Sequence, residues 1–314
     1  MSQFKTVVIV GGGTMGADLA ALLVARKVPV RVVCRKGRSF DSLRARIAAS
    51  AAQLDATADA DNVGIADALD SVRWADVGLV IECLPENLAV KQQLFRELEA
   101  LAQPDTVLSS NSSGFPISRI GEGLSSQQRM LGLHFFMPAH LVPLVEVVLS
   151  GKSDAALARK LYDFMASIGC EPVWVKRDIP GFLANRLQHA LMREAWSLID
   201  RGIASPEDVD RAVRYGFGFR YVAAGPVLQK EHSGLDVNLA ASSVVFPDLC
   251  NDREPPKVLR DKVAAGEHGM KAGRGFREWT PASIAEEKAR YQSALAGALA
   301  ILRNEQAGKG GERK

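Results

Sequence analysis

Aromatic residues are scarce in this 314-residue chain, with Phe, Trp and Tyr together at 6%. That leaves little material for the stacking platforms that hold single-stranded nucleic acid. Charge of one sign is also missing. The 39 Lys and Arg residues stand against 36 Asp and Glu, a net charge of +3, which gives no basic footprint for nucleic acid or a membrane surface. The four cysteines, Cys34, Cys83, Cys170 and Cys250, are far apart and form no C-x-x-C pair, so neither a zinc site nor a disulfide framework is indicated. No apolar run approaches the roughly 18 residues of a membrane span. Met1–Thr6 carries one Lys and runs into a strand pattern, unlike a basic and then apolar secretion signal. No internal repeat is visible. The expectation is a soluble, cytoplasmic protein with no metal and no nucleic-acid or membrane partner.

What is present is ordinary globular composition, 47% apolar and 24% charged, in a length that suits about two domains. Short β-branched runs at Thr6–Val10, Val30–Val33, Val77–Ile81, Thr106–Ser109, Met130–Phe136, Leu144–Leu149 and Pro172–Val175 alternate with helical patterns such as Val90–Leu101. Continuous apolar strands alternating with helices predict a Rossmann-like, doubly wound, mostly parallel α/β sheet. After Asp178-Ile-Pro-Gly181 the strand patterns almost vanish and helical ones take over, as at Leu183–Arg201 and Pro206–Tyr215. Ser205 as N-cap with Pro206 at N1 opens one of them. The expected division is therefore 1–178 for a dinucleotide-binding domain and 179–314 for a smaller all-helical one. Residues 39–68 read as Ala-rich and helical, and 306–314 as a frayed tail.

The first strand ends in Gly11-Gly-Gly13-Thr14-Met15-Gly16, a G-x-G-x-x-G turn that opens a helix. In that setting the first glycine permits the tight turn, the second lets a pyrophosphate approach the backbone, and the third lets helix and strand pack closely. The helix N-terminus then offers amides and a partial positive charge to the phosphates. Gly11, Gly13, Thr14, Met15 and Gly16 are the expected contacts. About twenty residues on, where an acid usually holds the ribose hydroxyls of NAD(H), stands Cys34 followed by Arg35, Lys36 and Arg38. Basic residues there favour the 2′-phosphate of NADP(H); a solvated basic loop on an NAD(H) enzyme is the alternative.

Leu133-His134-Phe135 puts an imidazole inside an apolar strand, and Val145-Glu146-Val147 puts a carboxylate inside the next. A buried carboxylate is costly without a partner, and His134 is the nearest one the sequence offers. Such a pair suits a general base with its orienting acid, a purely structural couple, or two solvent-facing edge residues. Ser109-Ser-Asn111-Ser-Ser113-Gly114 follows a strand at the edge where ligands bind in this architecture, or is an ordinary loop cap.

Taken together, Glu86-Asn-Leu-Ala-Val-Lys91, Asn111-Ser-Ser113, Gly132-Leu-His-Phe-Phe136, Leu144-Val-Glu-Val147, Pro180-Gly-Phe-Leu-Ala-Asn-Arg186 and Lys271-Ala-Gly-Arg-Gly-Phe276 resemble the 3-hydroxyacyl-CoA dehydrogenase family. The resemblance implies an oxidoreductase that moves a hydride between NAD(H) or NADP(H) and the hydroxyl of a 3-hydroxyacyl-CoA or similar 3-hydroxy acid. It implies a homodimer as well. By motif position His134 is the general base and Glu146 its partner, Ser113 and Asn185 hold the substrate oxygen, and Glu86 and Lys91 lie by the nicotinamide half. Lys271 matches a further position that reaches the cofactor.

Three departures stand out. Met137 replaces the family's Asn, the ribose acid is replaced by Cys34 with basic neighbours, and the stretch between those neighbours and Val77 is short, with Arg44 and Arg46 but no lysine. That stretch helps hold CoA in the family, which raises the alternative of a free hydroxy acid or ring alcohol of the carnitine, gulonate or pyridine-alcohol type. The linker Pro138-Ala-His140-Leu-Val-Pro143 points the same way. A non-catalytic, crystallin-like role is the remote alternative, and the retained His134, Glu146, Ser113 and Asn185 argue against it. Glu231 and His232 match no family motif; they either line the substrate side or are solvated, and the solvated reading is the expectation.

Overall fold

Val, Ile and Leu fill the short runs because a strand covered on both faces has no polar side to show. The computed structural model describes residues 4–34, 37, 39–54 and 60–310, the side chains of 60 and 306–310 excepted. Its strands are β1 (Thr6–Val10), β2 (Val30–Val33), β3 (Gly64–Ala66), β4 (Val77–Glu82), β5 (Val107–Ser110), β6 (Met130–Phe135), β7 (Leu144–Val148) and β8 (Glu171–Val175). They form one sheet in the order β3-β2-β1-β4-β5-β6-β7-β8. Every pairing is parallel except β6 with β7. The strand order reverses between β1 and β4, and in open α/β sheets that switch point is where a ligand binds.

Helices α1 (Thr14–Ala25), α2 (Phe40–Ala52), α3 (Leu88–Leu101), α4 (Ile117–Ile120) and α5 (Ala155–Ser167) accompany the sheet. Side chains alternate across it and build two cores. Ile9, Leu19, Leu133, Val145 and Phe164 belong to one, while Val8, Leu94, Phe95 and Leu98 belong to the other. Side-chain oxygens of Ser39, Asn87 and Asp154 accept backbone N–H groups at the starts of α2, α3 and α5, stopping each helix at its N-terminus.

The chain separates into two compact units, residues 1–186 and 187–314. The division falls later than the break in strand pattern because α6 (Ala184–Asp200) begins on the sheet, where Leu183 and Ala184 donate to Glu146. The second unit is helical, with most of α6 followed by α7 (Pro206–Arg211), α8 (Pro226–Ser233), α9 (Leu235–Val245), α10 (Lys257–Ala264) and α11 (Pro281–Gly310). Ser205 caps α7 by accepting from Asp208 N, with Pro206 at the first helical position. Among the described residues no helix is long and apolar enough to cross a membrane.

Two local expectations are corrected. Among the described residues of 39–68, α2 ends at Ala52, a single 3-10 turn stands at Ala60–Asn62, and Gly64–Ala66 is β3, a three-residue edge strand too short to leave a period-two signature. Of the segment 306–314 expected to fray, residues 306–310 continue α11, and 311–314 lie outside the described residues.

Candidate active site

β6 and β7 pair so that His134 stands directly opposite Glu146. Strand side chains alternate, so the Leu133, Phe135, Val145 and Val147 neighbours point into the core while this pair points to the other face. There Val148, Val175 and Phe182 pack together. His134 Nδ1 lies 2.6 Å from Glu146 Oε2, both side chains being buried. The other carboxylate oxygen of Glu146, Oε1, accepts Leu183 N–H at 2.9 Å and Ala184 N–H at 2.8 Å. Those two amides converge because Gly181 and Phe182 both adopt positive φ, 76° and 48°, just before α6. A phenylalanine there costs on the order of 1 kcal/mol. Its ring is buried 5.5 Å from that of His134, and Phe136 lies edge-on at 4.6 Å.

With Glu146 accepting from Nδ1, the remaining ring nitrogen of His134 is left as an acceptor. Ser113 Oγ sits 2.9 Å from that Nε2. Asn185 is half-buried, one residue beyond the anchored Ala184. The structure thus brings His134, Glu146 and Ser113 into one hydrogen-bonded line, with Asn185 on the segment tied to its far end.

At the glycine turn the three positions differ as their roles require. A side chain on Gly11, where φ is 117°, would meet the Cys83 carbonyl at 2.6 Å, and one on Gly16 would overlap the Gly11 carbonyl. Gly13 faces open space. It is the N-cap of α1 and makes no side-chain cap bond, so the first amides of the helix at Thr14, Met15 and Gly16 are free for a phosphate. The turn therefore fits a dinucleotide pyrophosphate. Arg35, Lys36 and Arg38 lie outside the described residues. Cys34, before them, is buried.

Lys91 and Glu86 come together in a way the sequence reading missed, because a third residue links them. Glu82 ends β4 fully buried and accepts Lys91 Nζ at 2.7 Å, Leu84 N at 2.6 Å and Ser110 Oγ at 2.5 Å. Lys91 is buried as well, and its ammonium also lies 3.4 Å from Glu86 Oε2. Glu86 Oε1 accepts Ser112 Oγ at 2.5 Å and Gly114 N at 2.8 Å. Burial alone would raise the Glu86 carboxyl, but the bonds from Ser112 and Gly114 and the Lys91 charge hold it below the usual carboxylate range. Asn111 Oδ1 accepts Phe135 N at 2.8 Å, tying the same loop to β6. The available signal for Glu82 was an acid at the end of an otherwise apolar strand.

Asp18 is a second residue the sequence reading did not single out. It is buried in α1, accepts Ser50 Oγ at 2.9 Å, and lies 3.4 Å from His140 Nδ1 at an ion-pair separation whose angle makes no hydrogen bond. His140 Nε2 reaches Gln53 Oε1 at 3.3 Å, so the linker between the two dyad strands rests on α1 and the end of α2. Met137 is 63% exposed at the end of β6. Lys271, Glu231 and His232 belong to the second unit and are exposed there.

Residues 6–179 match the family described as 3-hydroxyacyl-CoA dehydrogenase, NAD binding domain, and residues 181–279 match its C-terminal domain. The chain belongs to the 3-hydroxyacyl-CoA dehydrogenase family. It is an oxidoreductase with an NAD-binding domain, as the glycine turn and the dyad led us to expect. Within the family it is 34% identical over 286 residues to the 5-formyl-3-hydroxy-2-methylpyridine 4-carboxylate 5-dehydrogenase of Mesorhizobium japonicum, covering 89% of this chain and 92% of that one. A crystal structure of a dehydrogenase of that name, described as an NAD+ dependent dismutase, superposes with a TM-score of 0.90 at 32% identity, covering 96% of this chain and 99% of that one. The (S)-3-hydroxybutyryl-CoA dehydrogenase of Ralstonia eutropha gives 0.72 at 26% identity, covering 88% and 99%.

Proposed function

We propose that this family member oxidises the hydroxyl of a 3-hydroxyacyl-CoA or similar 3-hydroxy acid, or reduces the matching ketone, with His134 as the proton acceptor or donor. The observation that carries the reading is the line Ser113–His134–Glu146, in which Nε2 faces a hydroxyl and Nδ1 is held by a carboxylate. A nicotinamide dinucleotide bound at the glycine turn supplies the hydride acceptor. His134 Nε2 takes the hydroxyl proton as the hydride leaves the same carbon and the C–O bond becomes a carbonyl. Glu146 holds the ring and stabilises the imidazolium that forms. Ser113, and Asn185 on the segment fixed by Ala184, orient the substrate oxygen. Glu86, Lys91 and Lys271 are assigned to the cofactor on the family motif.

A CoA-free substrate, a small hydroxy acid or ring alcohol, is favoured by two observations. Arg44, in the stretch that would face CoA, donates to the carbonyls of Asp61 and Val63 at 3.2 and 3.1 Å and so braces the fold. The higher TM-score to the pyridine-carboxylate enzyme points the same way. Arg35, Lys36 and Arg38 support use of NADP(H) beside or above NAD(H). We further propose a cytoplasmic homodimer. Among the described residues no disulfide joins the cysteines, which suits a reducing compartment. Among the described residues of the second unit only Ala195 is buried, while Val227, Leu239, Val244 and Phe246 are each more than 60% exposed, which supports a partner subunit covering them.

The test is a panel of hydroxyacyl-CoAs and free hydroxy acids, including pyridine alcohols, assayed with NAD(H) and NADP(H). Turnover that falls at least about 100-fold in His134→Gln is expected. An unchanged rate in that variant would remove the dyad from the chemistry, and a marked preference for thioesters would overturn the CoA-free reading. Equal or weaker NADPH than NADH binding would overturn the basic-loop assignment.

A further inference from the structure

Residues 110–114 run from the last residue of β5 into the loop that carries Ser113, and apart from the ladder bond of Asn111 N to the Glu82 carbonyl at 2.9 Å their side chains and the Gly114 amide divide by parity. Ser110, Ser112 and Gly114 are pinned to two glutamates: Ser110 Oγ donates to Glu82 and accepts Ser112 N–H at 3.1 Å, while Ser112 Oγ and Gly114 N donate to Glu86. Asn111 and Ser113 are pinned to β6, through Phe135 N and His134 Nε2. The two glutamates share one cation, the buried Lys91 ammonium. Glu86 is half-exposed, whereas Glu82 is fully buried and uses both carboxylate oxygens, Oε1 for Lys91 and Leu84 and Oε2 for Ser110. A buried, charge-assisted set of this kind has one low-energy arrangement, since moving any member strands a charge or a donor.

We infer that Glu82 is a positioning residue of this active site: by holding Lys91 with one oxygen and Ser110 with the other, it sets the loop on which Ser113 meets His134. Glu82 lies at the end of β4, at the crevice side of the sheet, and touches neither His134 nor Ser113 itself. Its effect reaches the chemistry through two loop residues. Gln at this position can still accept from Lys91 and Leu84 through one oxygen, but it carries no charge and turns an amide NH2 toward Ser110 Oγ, which leaves the half-exposed Glu86 as the anion facing Lys91. The ammonium then draws toward Glu86, Glu86 loosens on Ser112 and Gly114, and Ser113 loses its fixed place. The kinetic consequence rests on the dehydrogenase reading of the dyad; the geometric consequence does not.

Two measurements on Glu82→Gln separate these. In unliganded protein carrying 13C-histidine, the His134 ring signals, assigned among five histidines by their loss in His134→Gln, report the Ser113 contact directly. They are expected to move in Glu82→Gln in the same direction as in Ser113→Ala, with no further movement in the double variant. Signals that stay at the wild-type position in Glu82→Gln while Ser113→Ala moves them would overturn the inference, as would signals that ignore Ser113→Ala. In turnover, Glu82→Gln should lose about tenfold to a hundredfold in kcat, the scale of a misplaced catalytic group. The double variant should lose no more than Ser113→Ala alone, whereas simple additive losses would mean that Glu82 acts only on stability. Ser110→Ala keeps the Glu82–Lys91 pair and removes the hold of Glu82 on Ser110 together with the Ser112 N–H bond, so it decides the question should Glu82→Gln fail to fold. Absent turnover, or turnover indifferent to His134→Gln, would sink the dehydrogenase reading while the histidine signals still decide the role of Glu82.

Discussion

Asp18 has no direct part in the dyad, yet it bears on how the site is framed. It lies in the helix that follows the glycine turn and faces Ser50 in α2 and His140 in the linker from β6 to β7. Burial alone would raise its carboxyl, but the contacts with His140 and Ser50 and the Arg46 charge hold it below the ordinary aspartate range. A depressed folded-state value stabilises the protein above the ordinary aspartate pKa of about 3.9, and the contribution is lost as pH falls through the lower folded value. Asp18→Asn should therefore lower stability near pH 7 by about 1–3 kcal/mol. The gap to wild type should narrow below about pH 4. Denaturant titrations between pH 7 and pH 3 check this, and a gap that stays constant to pH 3 would refute it. At this scale the dyad was legible and its supports were not. His134 and Glu146 stand out as polar residues in apolar strands. Glu82 and Asp18 are equally buried, but nothing in the order of residues shows that their partners lie 28 and 32 positions away.

At the scale of elements, the glycine turn shows why spacing is informative. Gly11 and Gly16 are required by close backbone approaches, to Cys83 and to Gly11 itself, and such approaches admit no other residue. Gly16→Ala should cost on the order of 1–3 kcal/mol or more and abolish binding of the reduced cofactor, because its Cβ pushes α1 away from β1. Calorimetry and cofactor fluorescence would read the two effects, and normal cofactor affinity in this variant would count against the turn as the pyrophosphate site. The β6–β7 pairing is the second decisive element. Alternation put His134 and Glu146 on defined faces, but their exact opposition depends on the antiparallel register, which the linker Phe136–Pro143 sets in three dimensions. Short β3 illustrates the limit, since three residues at a sheet edge carry no period.

For the whole molecule, the first unit buries two cores around one sheet, while the second, among its described residues, buries only Ala195. Helices that expose Val227, Leu239, Val244 and Phe246 are expected to meet a second copy, so light scattering should give about twice the 33.8 kDa chain mass. A monomer that stays folded and active at micromolar concentration would refute the homodimer. The sequence by itself determined the α/β class, the glycine turn, His134 and Glu146 as the polar pair of two apolar strands, and the family, because each rests on local order or on periodicity along the chain. Only the tertiary structure decided that buried Glu82 and Lys91, with half-exposed Glu86, form one set beneath the Ser113 loop, and that the turn into α6 closes on Glu146. Those are contacts between segments far apart in the chain, chosen by which buried donor must find which acceptor, and that pairing is fixed only when the strands are stacked in order.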